Sequence, residues 1–160
     1  LKLACGFAPV ARRLAAGVNG ALGTDGAASN NRLDTMQEMR LAALLAKAVA
    51  RDAQAVPAHA ALRAATLGGA RALGLEARIG SISPGKWADL AAVRLAGPEL
   101  IPCYDPVSHL VYAAGREQVS DVWVAGRRLV SEGILVNLDR FDLDTRCELW
   151  QNALKIRPAS

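Results

Sequence analysis

Asp25 is the residue whose neighbours best prepare it for chemistry. It stands in Gly23-Thr24-Asp25-Gly26, behind the short apolar run Ala21-Leu22 and ahead of Ala27-Ala28-Ser29-Asn30-Asn31. That order reads as strand, loop, helix. Asp25 then falls just past the carboxyl end of a strand, where α/β folds and (β/α) barrels keep their reactive groups. Its small neighbours leave room for another molecule to approach the carboxylate. A competing reading makes Thr24-Asp25-Gly26 a plain turn, with Asp25 bonding its own backbone. Ser29 and Asn30 divide in the same way: they line the mouth of a pocket, or they end the loop before the helix.

The other chemistry-bearing residues stand apart. His59 and His109 form no HxH or HExxH pattern, and an isolated histidine is expected to pack within the fold. Cys5, Cys103 and Cys147 are widely spaced and odd in number. That pattern fits a reducing, cytoplasmic compartment and argues against both a disulfide framework and a cysteine zinc site. Each cysteine is expected to be a small buried apolar group.

The elements that position Asp25 follow from local signals. Pro9 suits the first turn of a helix carrying Val10, Leu14 and Ala15, closed by Gly17. A strand is expected over residues 18–23. Asp34, with Gln37 three residues on, caps a second helix whose apolar face is Met36, Met39, Leu44 and Ala48. Pro57 opens a third helix through Leu62 and Ala65, and Thr66 caps a short fourth ending at Gly74.

The composition shifts after Glu76. Strands are expected over residues 89–95, 110–113, 119–124 and 127–130, with Ala125-Gly126 as a hairpin turn. Lys86 and Asp89 fix the turn into this part, and Trp87 and Trp123 pack within it. A last helix over residues 143–154 offers Leu149 and Trp150 as docking groups.

The chain has 160 residues, of which 52% are hydrophobic, and a net charge of +4. No run approaches the roughly 18 apolar residues of a membrane span. Basic residues are scattered and aromatics are 4%, too few for a base-stacking surface, so no nucleic-acid partner is expected. Nor does a basic-then-apolar leader open the sequence. The single parallel-type strand at residues 18–23 needs neighbours on both sides. The chain also begins at Leu1 in mid-pattern. Both features predict that the polypeptide starts earlier.

Leu1-Lys2-Leu3-Ala4-Cys5-Gly6-Phe7-Ala8-Pro9-Val10, Ala15-Ala16-Gly17-Val18-Asn19 and Leu22-Gly23-Thr24-Asp25-Gly26-Ala27-Ala28-Ser29-Asn30-Asn31 resemble the amidohydrolase superfamily. Within it they resemble the 5-methylthioadenosine/S-adenosylhomocysteine deaminase branch, also called triazine-hydrolase-like. Pro84-Gly85-Lys86-Trp87-Ala88-Asp89-Leu90, Asp105-Pro106-Val107-Ser108-His109 and Val122-Trp123-Val124-Ala125-Gly126-Arg127 continue the likeness across nearly all of residues 1–138.

The resemblance implies an α/β fold: the C-terminal part of a (β/α)8 barrel plus a small antiparallel β-sandwich domain. Residues 1–77 would be the last βα units, 78–138 the sandwich part, and 139–160 a C-terminal helix and tail. The same resemblance makes Asp25 a ligand of one divalent metal, zinc or iron, and the group that contacts the attacking water. A metal lowers the pKa of bound water toward about 7, and a neighbouring carboxylate passes that proton to the leaving amine. Ser29 and Asn30 would contact the substrate, a small amino-heterocycle or aminopurine nucleoside. The products would be an inosine-type base and ammonia. Homo-oligomers are common in the family.

The sequence also departs from the family pattern. The HxH pair, the further histidines and the glutamate acid of the family's site have no counterpart here. A catalytic zinc takes about three protein ligands, and this segment offers Asp25. Two alternatives stand beside the deaminase reading. One is hydrolysis of guanine, 8-oxoguanine or a triazine; the other is a metal-free relative serving as an assembly module.

Overall fold

Asp34 starts the helix that carries the core. The computed structural model describes residues 2–155. In it Asp34 is 5% exposed and its Oδ1 accepts from the Gln37 backbone N–H at 3.1 Å. That bond satisfies one of the four free N–H groups at a helix start. Helix α2 then runs Thr35–Ala50. Its buried face is Met39, Ala43 and Ala46, spaced i, i+4, i+7. Of the four residues expected on that face, Met39 is buried and Met36 half-buried, while Leu44 and Ala48 are exposed. The apolar stripe is rotated because alanines, rather than larger side chains, make the close contact.

Around α2 pack α1 (Val10–Ala15), α3 (Ala58–Arg63) and α5 (Pro106–Tyr112). Met39, Ala43, Ala46, Val56, Ala61 and Val111 form the core. Val111 is fully buried and comes from the second half of the chain, so α5 packs with the helical half. The strand expected over residues 110–113 is therefore a helix. Its start signals are local: Asp105 Oδ1 accepts from Val107 N–H at 3.0 Å, and Pro106 fills the first helical position. His109 lies on this helix, with Nδ1 3.2 Å from the Asp105 carbonyl, a bond within the fold as expected.

Helix α3 passes through a π-turn, Ala64–Gly68, into α4, Gly69–Ala72. Thr66 caps nothing. Its hydroxyl donates back to the Leu62 carbonyl at 2.7 Å, so α3, π-turn and α4 follow one another without a break. Gly74, at φ +68°, ends the run as expected.

The sheet has the order β1-β2-β3-β4 and is antiparallel throughout. Its strands are β1 Leu90–Val93, β2 Val119–Val124, β3 Arg127–Ser131 and β4 Ile134–Leu135. Leu90 pairs with Trp123, and Val122 with Val130. Ala125-Gly126 joins β2 to β3 with φ of 50° and 74°, the two positive values that match the twist of a two-residue hairpin. Glu132-Gly133 repeats the device into β4, with φ of 50° and 77°. That second hairpin was not expected.

Lys86 fixes the turn into the sheet, as expected, while Asp89 bonds within the sheet part. Lys86 Nζ donates to the Glu76 carbonyl and, at 3.1 Å, to the Ile79 carbonyl. Asp89 Oδ1 accepts from Ala125 N–H at 2.7 Å. Trp87 stacks on Arg78 and Trp123 on Arg128, with 5.0 and 5.7 Å from guanidinium to ring centre.

The last helix, α6, runs Arg140–Lys155. Leu149 and Trp150, expected to dock it, are exposed. Cys5 and Cys147 are also exposed, against the expectation of burial, and all three cysteines are unpaired. No helix among the described residues is long and apolar enough to cross a membrane.

Candidate functional site

The strand expected over residues 18–23 is not formed among the described residues: the segment makes no strand pairing, because a parallel strand needs neighbours to ladder with. Its Leu22 N–H donates to the Ala64 carbonyl at 3.2 Å. Asp25 follows with φ 60°, the left-handed region. Asp and Asn visit it more readily than other side-chain-bearing residues, because their polar groups bond locally.

Local bonding fixes the carboxylate. Asp25 Oδ1 accepts from Gly26 N–H at 2.8 Å, and Oδ2 accepts from Ser29 Oγ at 2.7 Å. Ser29 Oγ also lies 3.0 Å from the Gly26 carbonyl. The Ser29 hydroxyl, and after it the Gly26 N–H, hold the Asp25 carboxyl below its ordinary pKa, with a small opposing push from burial. Asp25 is thus firmly ionised at neutral pH. A carboxylate has about four lone-pair sites, and these two bonds occupy two of them. The turn reading and the functional reading both describe this residue: it bonds its own loop and keeps acceptor capacity in reserve.

Asn30 sits differently. Its Nδ2 donates to Glu38 Oε1 at 2.7 Å, and its Oδ1 faces the N–H groups of Arg32 and Leu33 at 3.2 Å each. The side chain ties the loop to the first turn of α2. Lys2 Nζ adds a second tie, to the Ala28 carbonyl at 3.1 Å and Asn31 Oδ1 at 2.7 Å. Sequence reasoning missed Glu38. Its signal was an acidic residue in the first turn of a helix.

Asp25, Ser29 and Asn30 line one open recess of about 690 Å³, walled by Phe7, Leu22 and Leu41. Apolar walls with a few converging polar groups are the usual make-up of a small-molecule site. Among the described residues, no three His, Cys, Asp or Glu side chains come together to hold a metal ion. Glu38, the other carboxylate in the recess, already accepts from Asn30. The donors present here do not make a metal site on their own. His59 is exposed on α3 and His109 lies on α5.

Comparison with known sequences places this geometry. The sequence matches the Amidohydrolase family over residues 1–129. The chain belongs to the amidohydrolase family. It is 48% identical over 154 residues to a 5-methylthioadenosine/S-adenosylhomocysteine deaminase of Teredinibacter turnerae, covering 96% of this chain and 35% of that protein. The crystal structure of a Xanthomonas campestris adenosine deaminase with bound zinc superposes with a TM-score of 0.95 at 51% identity, covering 98% of this chain and 36% of that one. The zinc complex of atrazine chlorohydrolase from Arthrobacter aurescens superposes at 0.81 with 31% identity, covering 90% and 32%. This amidohydrolase chain therefore spans about a third of the length of the curated relatives it matches.

Proposed function

We propose that this chain is the C-terminal part of a metal-dependent amidohydrolase that hydrolytically deaminates an aminopurine nucleoside of the 5-methylthioadenosine or S-adenosylhomocysteine kind. One observation carries the reading: an ionised carboxylate with spare acceptor sites faces an open recess, in a chain 48% identical to such a deaminase. Residues 1–77 supply the last βα units of a barrel, joined by helix α5; the rest of residues 78–138 supplies part of a β-sandwich, and residues 139–160 a C-terminal helix and tail. The rest of the barrel, and the metal donors that this segment does not offer, belong to the remaining two-thirds of the protein.

Asp25 is the catalytic residue and the metal ligand that this segment contributes. Its lowered pKa suits both roles, since the carboxylate is ionised throughout the neutral range and presents acceptor oxygens. Ser29 orients it. Asn30 shapes the substrate side of the recess by holding the loop against α2. The zinc bound in the Xanthomonas campestris structure supports zinc as the divalent ion.

The test uses the full polypeptide that contains this sequence. Ammonia release from 5-methylthioadenosine, S-adenosylhomocysteine and an aminotriazine is measured beside metal content. The expected result is deamination of the nucleosides, lost by at least about 10²-fold in Asp25→Asn at an unchanged melting temperature. Preference for the triazine would replace the substrate class. Neither activity nor bound metal would favour the assembly-module reading.

A further inference from the structure

The segment that leads to Asp25 meets one turn of helix at three points, and that turn is not an α-turn. Ala64–Gly68 is a π-turn between α3 and α4. Single π-turns inside helices are rare and occur often at functional sites. Asn19 Nδ2 donates to the Gly68 carbonyl at 2.8 Å, and Leu22 N–H donates to the Ala64 carbonyl at 3.2 Å. Between these bonds the two backbones touch. A Cβ on Gly68 would stand 2.0 Å from the Gly20 carbonyl oxygen. Glycine at residue 68 sets how close the segment lies, and the two hydrogen bonds set its register.

The helical turn is anchored: Ala64 and Gly68 are both buried. Asp25 comes three residues after Leu22, at the end of the fastened segment. Removing the Asn19 side chain takes away one of the two hydrogen bonds that fix the register of the segment ahead of Asp25. The helical core of Met39, Ala43 and Val111 is untouched by that change.

We propose that Asn19 and Gly68 are positioning residues for Asp25: the amide-to-carbonyl bond between them sets where the carboxylate enters the recess. The proposal rests on the reading of Asp25 as the reacting carboxylate. Misplacing a reacting group by about 1 Å costs up to 10²-fold in rate, and removing an orienting partner costs about 10- to 100-fold.

The experiment compares Asn19→Ala, Asn19→Ser and Asp25→Asn in the full polypeptide, with 5-methylthioadenosine as substrate. Expected for Asn19→Ala is a kcat lowered about 10- to 100-fold with KM within about two-fold and the melting temperature nearly kept. Asn19→Ser, which retains a short donor, is expected to fall between Asn19→Ala and the parent, and it decides the matter if Asn19→Ala does not fold. A lower melting temperature with kcat unchanged would overturn the proposal, because it marks a merely structural contact. An inactive Asp25→Asn beside a fully active Asn19→Ala would overturn it while leaving the functional reading intact. An active Asp25→Asn would overturn both.

Discussion

Ser29 Oγ and Asp25 Oδ2 lie 2.7 Å apart across four residues of chain. The hydroxyl donates and the carboxylate accepts. The loop between them is closed by bonds from Ser29 N–H and Asn30 N–H to the Gly26 carbonyl, at 3.1 and 2.9 Å. Asp25 adopts a positive φ at the start of this loop. Strained backbone of that kind persists where surrounding bonds over-determine it, and here the carboxylate's own two acceptor bonds help to do so.

The pH behaviour of Asp25 follows from that contact. Ser29 is the largest cause of its lowered pKa. A group whose pKa is depressed on folding contributes stability above its unfolded value and loses it as pH falls through the folded value. In the metal-free polypeptide Ser29→Ala removes the main donor, so the Asp25 titration moves up toward the ordinary carboxylate range. Carbon-detected NMR of the Asp25 carboxyl in parent and variant gives the measurement, and an unmoved titration would show that the Gly26 N–H alone holds the group.

Arg40 joins the two halves of the chain. Its Nε donates to the Val111 carbonyl at 3.2 Å, and its Nη2 to the Ala114 carbonyl at 2.7 Å. Those carbonyls close the end of α5, where cationic donors are favoured. Val111 and Ala114 are fully buried, so losing the guanidinium leaves acceptors without partners. Arg40→Ala is expected to lower unfolding free energy by about 3 kcal/mol. Arg40→Lys is expected to recover less than half, since an ammonium lacks the fork that spans both carbonyls. Urea unfolding of the full polypeptide reads both values. Equal stability of parent and Arg40→Ala would assign the α2–α5 contact to apolar packing alone.

What the sequence made legible was local. The Asp34 cap, the Gly74 stop and the Ala125-Gly126 turn each depend on two or three neighbouring residues, and each is where it was expected. Leu110–Ala113 reads as a strand because a short apolar run with valine and tyrosine satisfies either period; the stronger signal, Asp105-Pro106, lies just upstream. The exposure of Cys5, Cys147, Leu44 and Trp150 depends on what packs beside them, which no local pattern carries. At the site, Asp25 and Ser29 were found together because they share one loop. The Asn19–Gly68 contact spans 49 residues, and a π-turn has no sequence period of its own, so spacing gave no sign of it.

The β2–β3 turn carries a correctable strain. Ala125 holds φ 50° although its Cβ disfavours that region, while Gly126 holds 74° freely. Asn-Gly is the preferred pair for such a turn. Ala125 N–H donates to Asp89 Oδ1 at 2.7 Å, a backbone bond that asparagine at this position keeps. Ala125→Asn is therefore expected to stabilise the sheet by roughly 0.5–1 kcal/mol. Gly126→Ala is expected to cost about 1–2 kcal/mol. A Cβ at residue 126 would meet nothing within 4 Å, so that cost is purely conformational and owes nothing to a clash. Thermal melts of the two variants beside the parent separate the cases. A neutral Gly126→Ala would mean that the hairpin relaxes to another turn type without loss, and that the β2–β3 register is held by Val122–Val130 pairing instead.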